Sequence, residues 1–473
     1  MSEYDGTILF KEWLPDQPDL NNPGLTEAHN VLPMDGTYKS FLPLVASGNT
    51  LNSRPIGAIE TYQPASNIRY IYAGQTTTIM RQLVGLGTWS TVGSGYTATS
   101  ATWEFAVYDD LIFATNFLDT VQVQTLGAAA FAAPALGSPP RARRVGKVGQ
   151  FIVLGDTGEA TNGDVPHRVQ WPAIDDPTNW PLPGSATAIA SQAGEQFLDS
   201  QWGPVNAIVG GDQFGIVMQR GGLNRMTYVG GNTVFQFDKI AGALGLYLPN
   251  SVVEVNGLWY YISEGGIYVT DGVSAQPVGN GKVDRYFAEN AILGSFEERV
   301  YGAVDSNRKI IKWCYPSGGL GTVDRLLIYN YQEKRFTYAT QTCNTLISAP
   351  GDRSQVRYIR GFTDTHRAAR FTGTPGTATL ETGEVEPNPG GYACVQGIRA
   401  LTDVTVNAVT VAMGTRDQQS DSVTYTSETT ANSRTRIANF RGEARYHRAR
   451  LKIAGTFNAA QGVQYQAEAS GYT

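Results

Sequence analysis

Short apolar runs, each followed by a glycine-rich or polar turn and a second apolar run, recur along the middle of the chain. One unit is NGLWYYISEGGIYVTDG, in which Leu258 to Ile262 and Ile267 to Val269 flank a glycine turn and Asp271-Gly272 closes the second run. Such runs, rich in Tyr, Val, Ile and Trp and bounded by turn residues, predict β-hairpins. Related units open near residues 69, 111, 151, 214, 258, 310 and 358, spaced 40 to 63 residues apart. Several short strands per unit at such a period predict the blades of a β-propeller, because one small sheet cannot bury both faces alone and radial packing of several can. Six or seven blades are expected over residues 51–375. The longest interval holds HRVQWPAIDDPTNWPLPGSATA, which reads as an elaborated loop, and one helix is expected around Lys282 to Asn290, where Val283, Tyr286 and Phe287 follow helical spacing.

Outside this region the pattern changes twice. Residues 1–50 carry Pro15, Pro18, Pro23 and Pro33, which exclude a long helix. Trp13, Leu14, Leu25, Val31, Leu32, Phe41 and Leu44 make the segment too apolar for a disordered tail. It is expected to be an extended arm lying against other parts of an assembly, with Trp13 as a candidate docking residue. Residues 376–473 alternate with a period of two: Val463, Tyr465, Ala467 and Ala469 on one face, Gln464, Gln466, Glu468 and Ser470 on the other. That predicts an antiparallel, sandwich-like β domain. In RYHRARLKI, His447, Ala449, Leu451 and Ile453 point one way, and Arg448, Arg450 and Lys452 form a cationic ladder on the other. Together with Arg434, Arg436, Arg441 and Arg445 they face only Glu443 in the local sequence, so a solvated face or an interface with an acidic partner surface is expected.

Composition narrows the function classes. The 473 residues hold 36 Lys+Arg and 42 Asp+Glu, a formal net charge of −6, which argues against binding nucleic acid by bulk charge. Cys314, Cys343 and Cys394 are widely spaced and form neither a disulfide framework nor a zinc set. The N-terminus lacks a signal-peptide pattern and no run approaches the roughly 20 apolar residues of a membrane span, so no stable membrane insertion is expected. Asp156-Thr157-Gly158 would suit an aspartic protease only as one of two such loops, and a hairpin turn is the simpler reading. A propeller glycosidase would need paired carboxylates, and in the sialidase case an arginine cluster, but acids and arginines are scattered and Ser-x-Asp-x-Gly-x-Thr-Trp turns do not occur. His29, His167, His366 and His447 lack second ligands at metal-binding spacing, and the glycine pairs lack the lysine of a phosphate loop. No cofactor, metal or enzymatic activity is expected. A second basic cluster, RARR at 141 to 144 with Lys147, reads as a solvated sheet face or as a subunit interface.

Three stretches carry a family resemblance. WLPDQPDLNNPGLTEAHNVLPMDGTYKSFLPL near the N-terminus, HRVQWPAIDDPTNW from His167 to Trp180, and the closing GEARYHRARLKIAGTFNAAQGVQYQAEASG resemble the tail nozzle, or tail hub, proteins of short-tailed bacteriophages, also called packaged-DNA stabilisation proteins. Pro172 stands where that family usually has Ser. The resemblance implies a structural virion protein without catalytic activity, assembled in the host cytoplasm into a ring, usually a hexamer, below the portal and adaptor. It further implies contacts with the adaptor and with distal needle or fibre proteins, and passage of viral double-stranded DNA without sequence-specific binding. An acidic chain suits such a conduit, since a basic wall would hold phosphates. The alternative expectation is a β-propeller scaffold for another protein, with a propeller glycosidase behind it.

Overall fold

A computed structural model describes residues 3–98, 101–350 and 356–471. The chain is mainly β, and its centre is a β-propeller. Among the described residues it holds seven antiparallel meanders, whose first strands are Ala58–Gln63, Glu104–Tyr108, Arg141–Val148, Val205–Gly210, Val253–Val255, Tyr301–Asp305 and Thr345–Pro350. Neighbouring first strands pack against one another around the ring, except that the turn Pro249–Ser251 makes the contact from the fourth meander toward the fifth and sixth. The seven apolar runs legible in the sequence are the second strands of the meanders, such as Ile68–Gly74, Leu258–Ser263 and Ile310–Pro316. The first strands escaped the pattern because they carry buried polar groups, among them Glu60, Arg144 and Asn206.

Apolar clusters fill successive gaps between meanders. Tyr72 and Ile79 of the first pack with Ile112 and Ala114 of the second, and Phe113 with Val145 and Leu154 of the third. Val153 and Phe151 then meet Val205 and Val217 of the fourth, and Ile216 meets Trp259 and Tyr261 of the fifth. At about 25 cal/mol per Å² of apolar surface removed from water, this repeated burial is the main source of the ring's stability. Some contacts tolerate no extra atom: a Cβ on Gly74 would lie 2.2 Å from Cγ of the Trp103 ring.

Closure uses residues from the start of the chain. The strand Leu44–Ala46 pairs antiparallel with Ala368–Phe371 and becomes the outer strand of the seventh meander, so that sheet is built from both ends of the propeller sequence. Across the seam, Ile71, Ala73 and Met80 pack with Ile347, Phe362 and Ala368. Beside this cluster Arg360 Nε donates to Glu60 Oε2 at 2.5 Å, with both residues buried.

The C-terminal strands form two sheets that share a core. One contains Tyr392–Thr402 between Ile437–Ala444 and Ala460–Gly471, with Glu3–Leu9 added to the last. The other runs from the sixth meander through Leu25–His29, Ala378–Thr382, Tyr446–Ile453 and Val409–Arg416 as one ten-stranded sheet. Val395, Ile398, Val463 and Tyr465 from the first sheet meet Leu380, Val411, Ala449 and Leu451 from the second. The expected N-terminal arm is therefore four short strands and a closing strand woven into three sheets of its own chain. Apolar residues at Leu25, Val31 and Phe41 made that possible, since each finds a buried place.

Two expectations about local structure change. The helix Asp284–Asn290 is present, but Ala186–Ala190 forms a second one inside the elaborated loop, whose Trp180 turns back into the core between the second and third meanders. Asp156 lies not in a hairpin turn but within the strand Phe151–Glu159, at a bulge between Gly155 and Thr157 with φ 51°.

Candidate docking surface and axial ion-pair cluster

The cationic ladder starts from the alternation of Tyr446–Ile453. Its inward residues His447, Ala449, Leu451 and Ile453 are fully buried. Its outward residues meet carboxylates supplied by other segments of the chain. Arg448 Nη2 donates to Asp19 Oδ2 and to Glu384 Oε1, each at 2.7 Å, and Nη1 donates to Glu381 Oε1 at 3.1 Å. Strand register places Glu381 opposite Arg450, whose Nε donates to Glu381 Oε2 and whose guanidinium lies 3.8 Å from the Tyr425 ring centroid. Lys452 pairs with Glu428, and Arg416 holds the second oxygen of Glu384 at 2.5 Å. The carboxylates were invisible locally because Asp19, Glu27 and Glu381 lie far from the arginines in sequence.

This network ties Arg448 and Arg450 to internal partners. Arg448 is 6% exposed, and its ion pairs hold its guanidinium well above the ordinary arginine range against the opposing effect of burial. Glu27, which accepts from Tyr338 Oη at 3.3 Å, has its carboxyl raised by burial and then by the nearby Glu381 charge. Trp13 is likewise internal: 1% exposed, it donates from Nε1 to Thr26 O at 3.1 Å and packs against Tyr286 and Tyr338. It is a core residue rather than a docking residue.

The remaining arginines stay at the surface. Arg445 is half-buried over the Tyr392 ring. Arg434, Arg436 and Arg441 are exposed, on the strand Ile437–Ala444 and the turn before it. That strand pairs with Tyr392–Thr402 on one side and, among the described residues, has no strand partner on the other. Arg436 sits at φ 64° and donates weakly to Val404 O at 3.4 Å. An open edge flanked by three exposed arginines offers backbone hydrogen bonds and charge to a partner.

A second polar constellation joins the first strands of the second and third meanders to the turns ahead of the fifth and sixth. Arg144, 2% exposed, lies between Glu104 Oε2 at 3.5 Å and Glu298 Oε1 at 3.3 Å. Glu298 also accepts from the Thr102 backbone and hydroxyl at 3.2 Å each, and its backbone carbonyl accepts from Asn250 Nδ2 at 2.8 Å. Burial pushes the Glu104 carboxyl up to about 7, opposed by the Arg144 charge. The neighbouring Arg143–Asp156 pair at 2.9 Å and Arg220–Glu297 pair at 3.3 Å extend the cluster. The RARR segment is thus neutralised residue by residue, with Arg141 taking Asp164 at 3.1 Å. Sequence reading singled out these arginines without their partners, which are Asp156 and Asp164 of the same meander, Glu104 of the second and Glu298 in the turn ahead of the sixth.

The remaining chemical candidates are structural in their surroundings. His447 donates from Nε2 to the carbonyls of Ala444 at 3.0 Å and Ala393 at 3.2 Å, and burial lowers its pKa. His29 stacks on Tyr338 and shares a 2.9 Å hydrogen bond with Thr340, with its pKa drawn down to about 4 by burial and by Arg325. Cys314 and Cys343 are buried free thiols. Among the described residues no group of three or more His, Cys, Asp or Glu side chains is arranged to hold a metal ion. No described helix is long and apolar enough to cross a membrane.

No protein-family model matches the chain, and a search of curated proteins finds no match. Solved structures similar to it include the computationally designed Ika8 protein, at 11% identity and TM-score 0.41, covering 69% of this chain and 98% of that one. A chain of the mitotic checkpoint complex matches at 9% identity and TM-score 0.43, covering 69% and 93%. U3-55K matches at 7% identity and TM-score 0.43, covering 69% and 97%. This likeness is one of fold and supplies no argument about activity or partners.

Proposed function

We propose that this chain is a structural subunit of a virion tail: the nozzle, or hub, of a short-tailed bacteriophage, forming a hexameric ring beneath the portal and adaptor. In this reading the ring retains packaged DNA and conducts it outward during ejection, with needle or fibre proteins bound at its distal end. The resemblance in three stretches of sequence supports this reading. The structural observation that carries it is the ten-stranded sheet running from the sixth meander through Leu25–His29 into the C-terminal domain. That sheet makes the propeller and the C-terminal domain mechanically continuous, as a ring subunit under the pressure of packaged DNA requires.

Charge supports the same reading. Arg69, Arg144, Arg360, Arg416, Arg448 and Arg450 are taken up internally by Glu60, Glu104, Glu298, Glu381 and Glu384, in a chain whose net charge is −6. A surface with weak net attraction for phosphate suits DNA that must slide past. A ring also needs contacts that differ on the two sides of each subunit, and the open edge at Ile437–Ala444 with Arg434, Arg436 and Arg441 supplies one such side. The test is assembly: mixed with its adaptor ring, the purified chain should form a closed ring detectable by mass photometry, whereas a chain that stays monomeric with every tail component would favour the plain propeller scaffold.

A further inference from the structure

Between the sixth, seventh and first meanders lies a cavity of about 450 Å³ that the proposed function does not use. Its volume falls within the roughly 300–1,000 Å³ of small-molecule sites. Leu32, Ile310, Ala349 and Ile359 give it apolar lining, and Asn307 and Tyr358 are exposed at its margin. The decisive residue is Lys312, on the strand Ile310–Pro316.

Lys312 lines this cavity and is 4% exposed. Among the described residues no carboxylate reaches ion-pair distance of its Nζ, which instead lies 3.3 Å from the Phe371 ring centroid and 4.9 Å from that of Phe41. A cation–π contact contributes about 2 kcal/mol when desolvated, less than the several kcal/mol that removing an ammonium from water costs. The ammonium is therefore under-compensated, and burial draws its pKa down to about 7, assisted by the Arg308 charge.

Among the described residues the carboxylates that line the cavity, Glu60 and Asp305, are both engaged by arginines. Glu60 is committed to Arg360 at 2.5 Å and lies 3.8 Å from Arg69, and Asp305 lies 4.0 Å from Arg308. Guanidinium forks around a lysine point charge match the several oxygens of a tetrahedral dianion better than the two of a carboxylate.

We propose that this cavity binds a small phosphorylated anion, with Lys312 as its buried counter-charge and Arg308 at its entrance. The phosphate can belong to a free inorganic species or to a small organic molecule, and two probes separate these sources. Isothermal titration of the full chain with inorganic pyrophosphate and with ATP, at fixed ionic strength and without divalent metal, should show saturable binding of at least one. Binding of pyrophosphate alone assigns the site to inorganic phosphate, and tighter binding of ATP assigns it to an organic phosphate. Lys312→Met, which places an apolar chain of similar length in the same buried position, should weaken the better probe by about tenfold or more, the loss expected for a charge-assisted hydrogen bond. Arg308→Gln, at a partly exposed residue, should weaken it less and gives a second reading if the lysine variant does not fold. Absence of saturable binding by either probe up to about millimolar concentration, or binding unchanged in both variants, overturns the proposal.

Discussion

Arg448 donates a hydrogen bond to Asp19 at 2.7 Å although 429 positions separate them in the chain. The same guanidinium holds Glu381 and Glu384, so the start of the chain is fastened to the C-terminal domain through a buried charge network. An N-terminal segment fixed in this way is part of the fold, and what it would present to a neighbouring subunit is its outer surface rather than a free arm.

Removing the centre of that network should be costly. In Arg448→Met the carboxylates of Glu381 and Glu384, both nearly inaccessible to water, lose a cationic partner. Arg450 and Arg416 remain beside them, so the expected loss is about 3 kcal/mol, at the lower end for a broken buried pair. Urea denaturation of the wild type and variant measures it, and a change below about 0.5 kcal/mol would mean the network is not stabilising.

Deleting residues 1–46 should prevent cooperative folding rather than merely uncouple a docking arm. The deletion removes the strand that completes the seventh meander and four strands of the C-terminal sheets. Size-exclusion chromatography and thermal unfolding of the truncated chain are the check. A soluble monomer with an unchanged melting transition would contradict the structural role.

Glu104 should leave a signature in the pH dependence of stability. Burial raises its carboxyl from 4.5 to about 7, so the folded chain holds the proton more tightly than the unfolded one. Its contribution is therefore fully present below about pH 4.5 and is lost as pH rises through 7. Comparing wild type with Glu104→Gln isolates this group from His29, whose depressed pKa gives the opposite slope. The stability of the wild type relative to the variant should fall between pH 5 and 7 by on the order of 2 kcal/mol and level off above.

Charge reversal separates the docking candidates from the structural arginines. Arg434→Glu, Arg436→Glu and Arg441→Glu together change exposed residues and should alter monomer stability by no more than about 0.5 kcal/mol per site. They should nevertheless weaken ring assembly or adaptor binding, measured by mass photometry. Full assembly of the triple variant would move the interface elsewhere.

The propeller was readable because its second strands are short, apolar and bounded by turns; Leu258–Ser263 and Ile310–Pro316 are unmistakable at that level. Its first strands were not, since residues such as Glu60 and Arg144 break the apolar pattern and become buried only when other meanders bring their partners. Alternation in Tyr446–Ile453 correctly separated His447 from Arg448, yet periodicity says which face a residue takes and nothing about what covers that face. The acids that cover it arrive through long-range register, from Ala378–Thr382 and from the first thirty residues. Trp13 shows the same limit: its apolarity signalled burial somewhere, and the structure supplies its own chain as the place. The cavity around Lys312 was illegible for the same reason, because its lining comes from three meanders and the N-terminal segment.

As a nozzle subunit, this chain would tile the ring through which a viral genome leaves. Single-particle electron microscopy of virions from the native source tests it most directly. The expected result is a sixfold density below the portal and adaptor into which the propeller and its C-terminal domain fit together, with the edge at Ile437–Ala444 against a neighbour. Tails whose density leaves no place for this chain, with the protein recovered only as a free monomer, would contradict it.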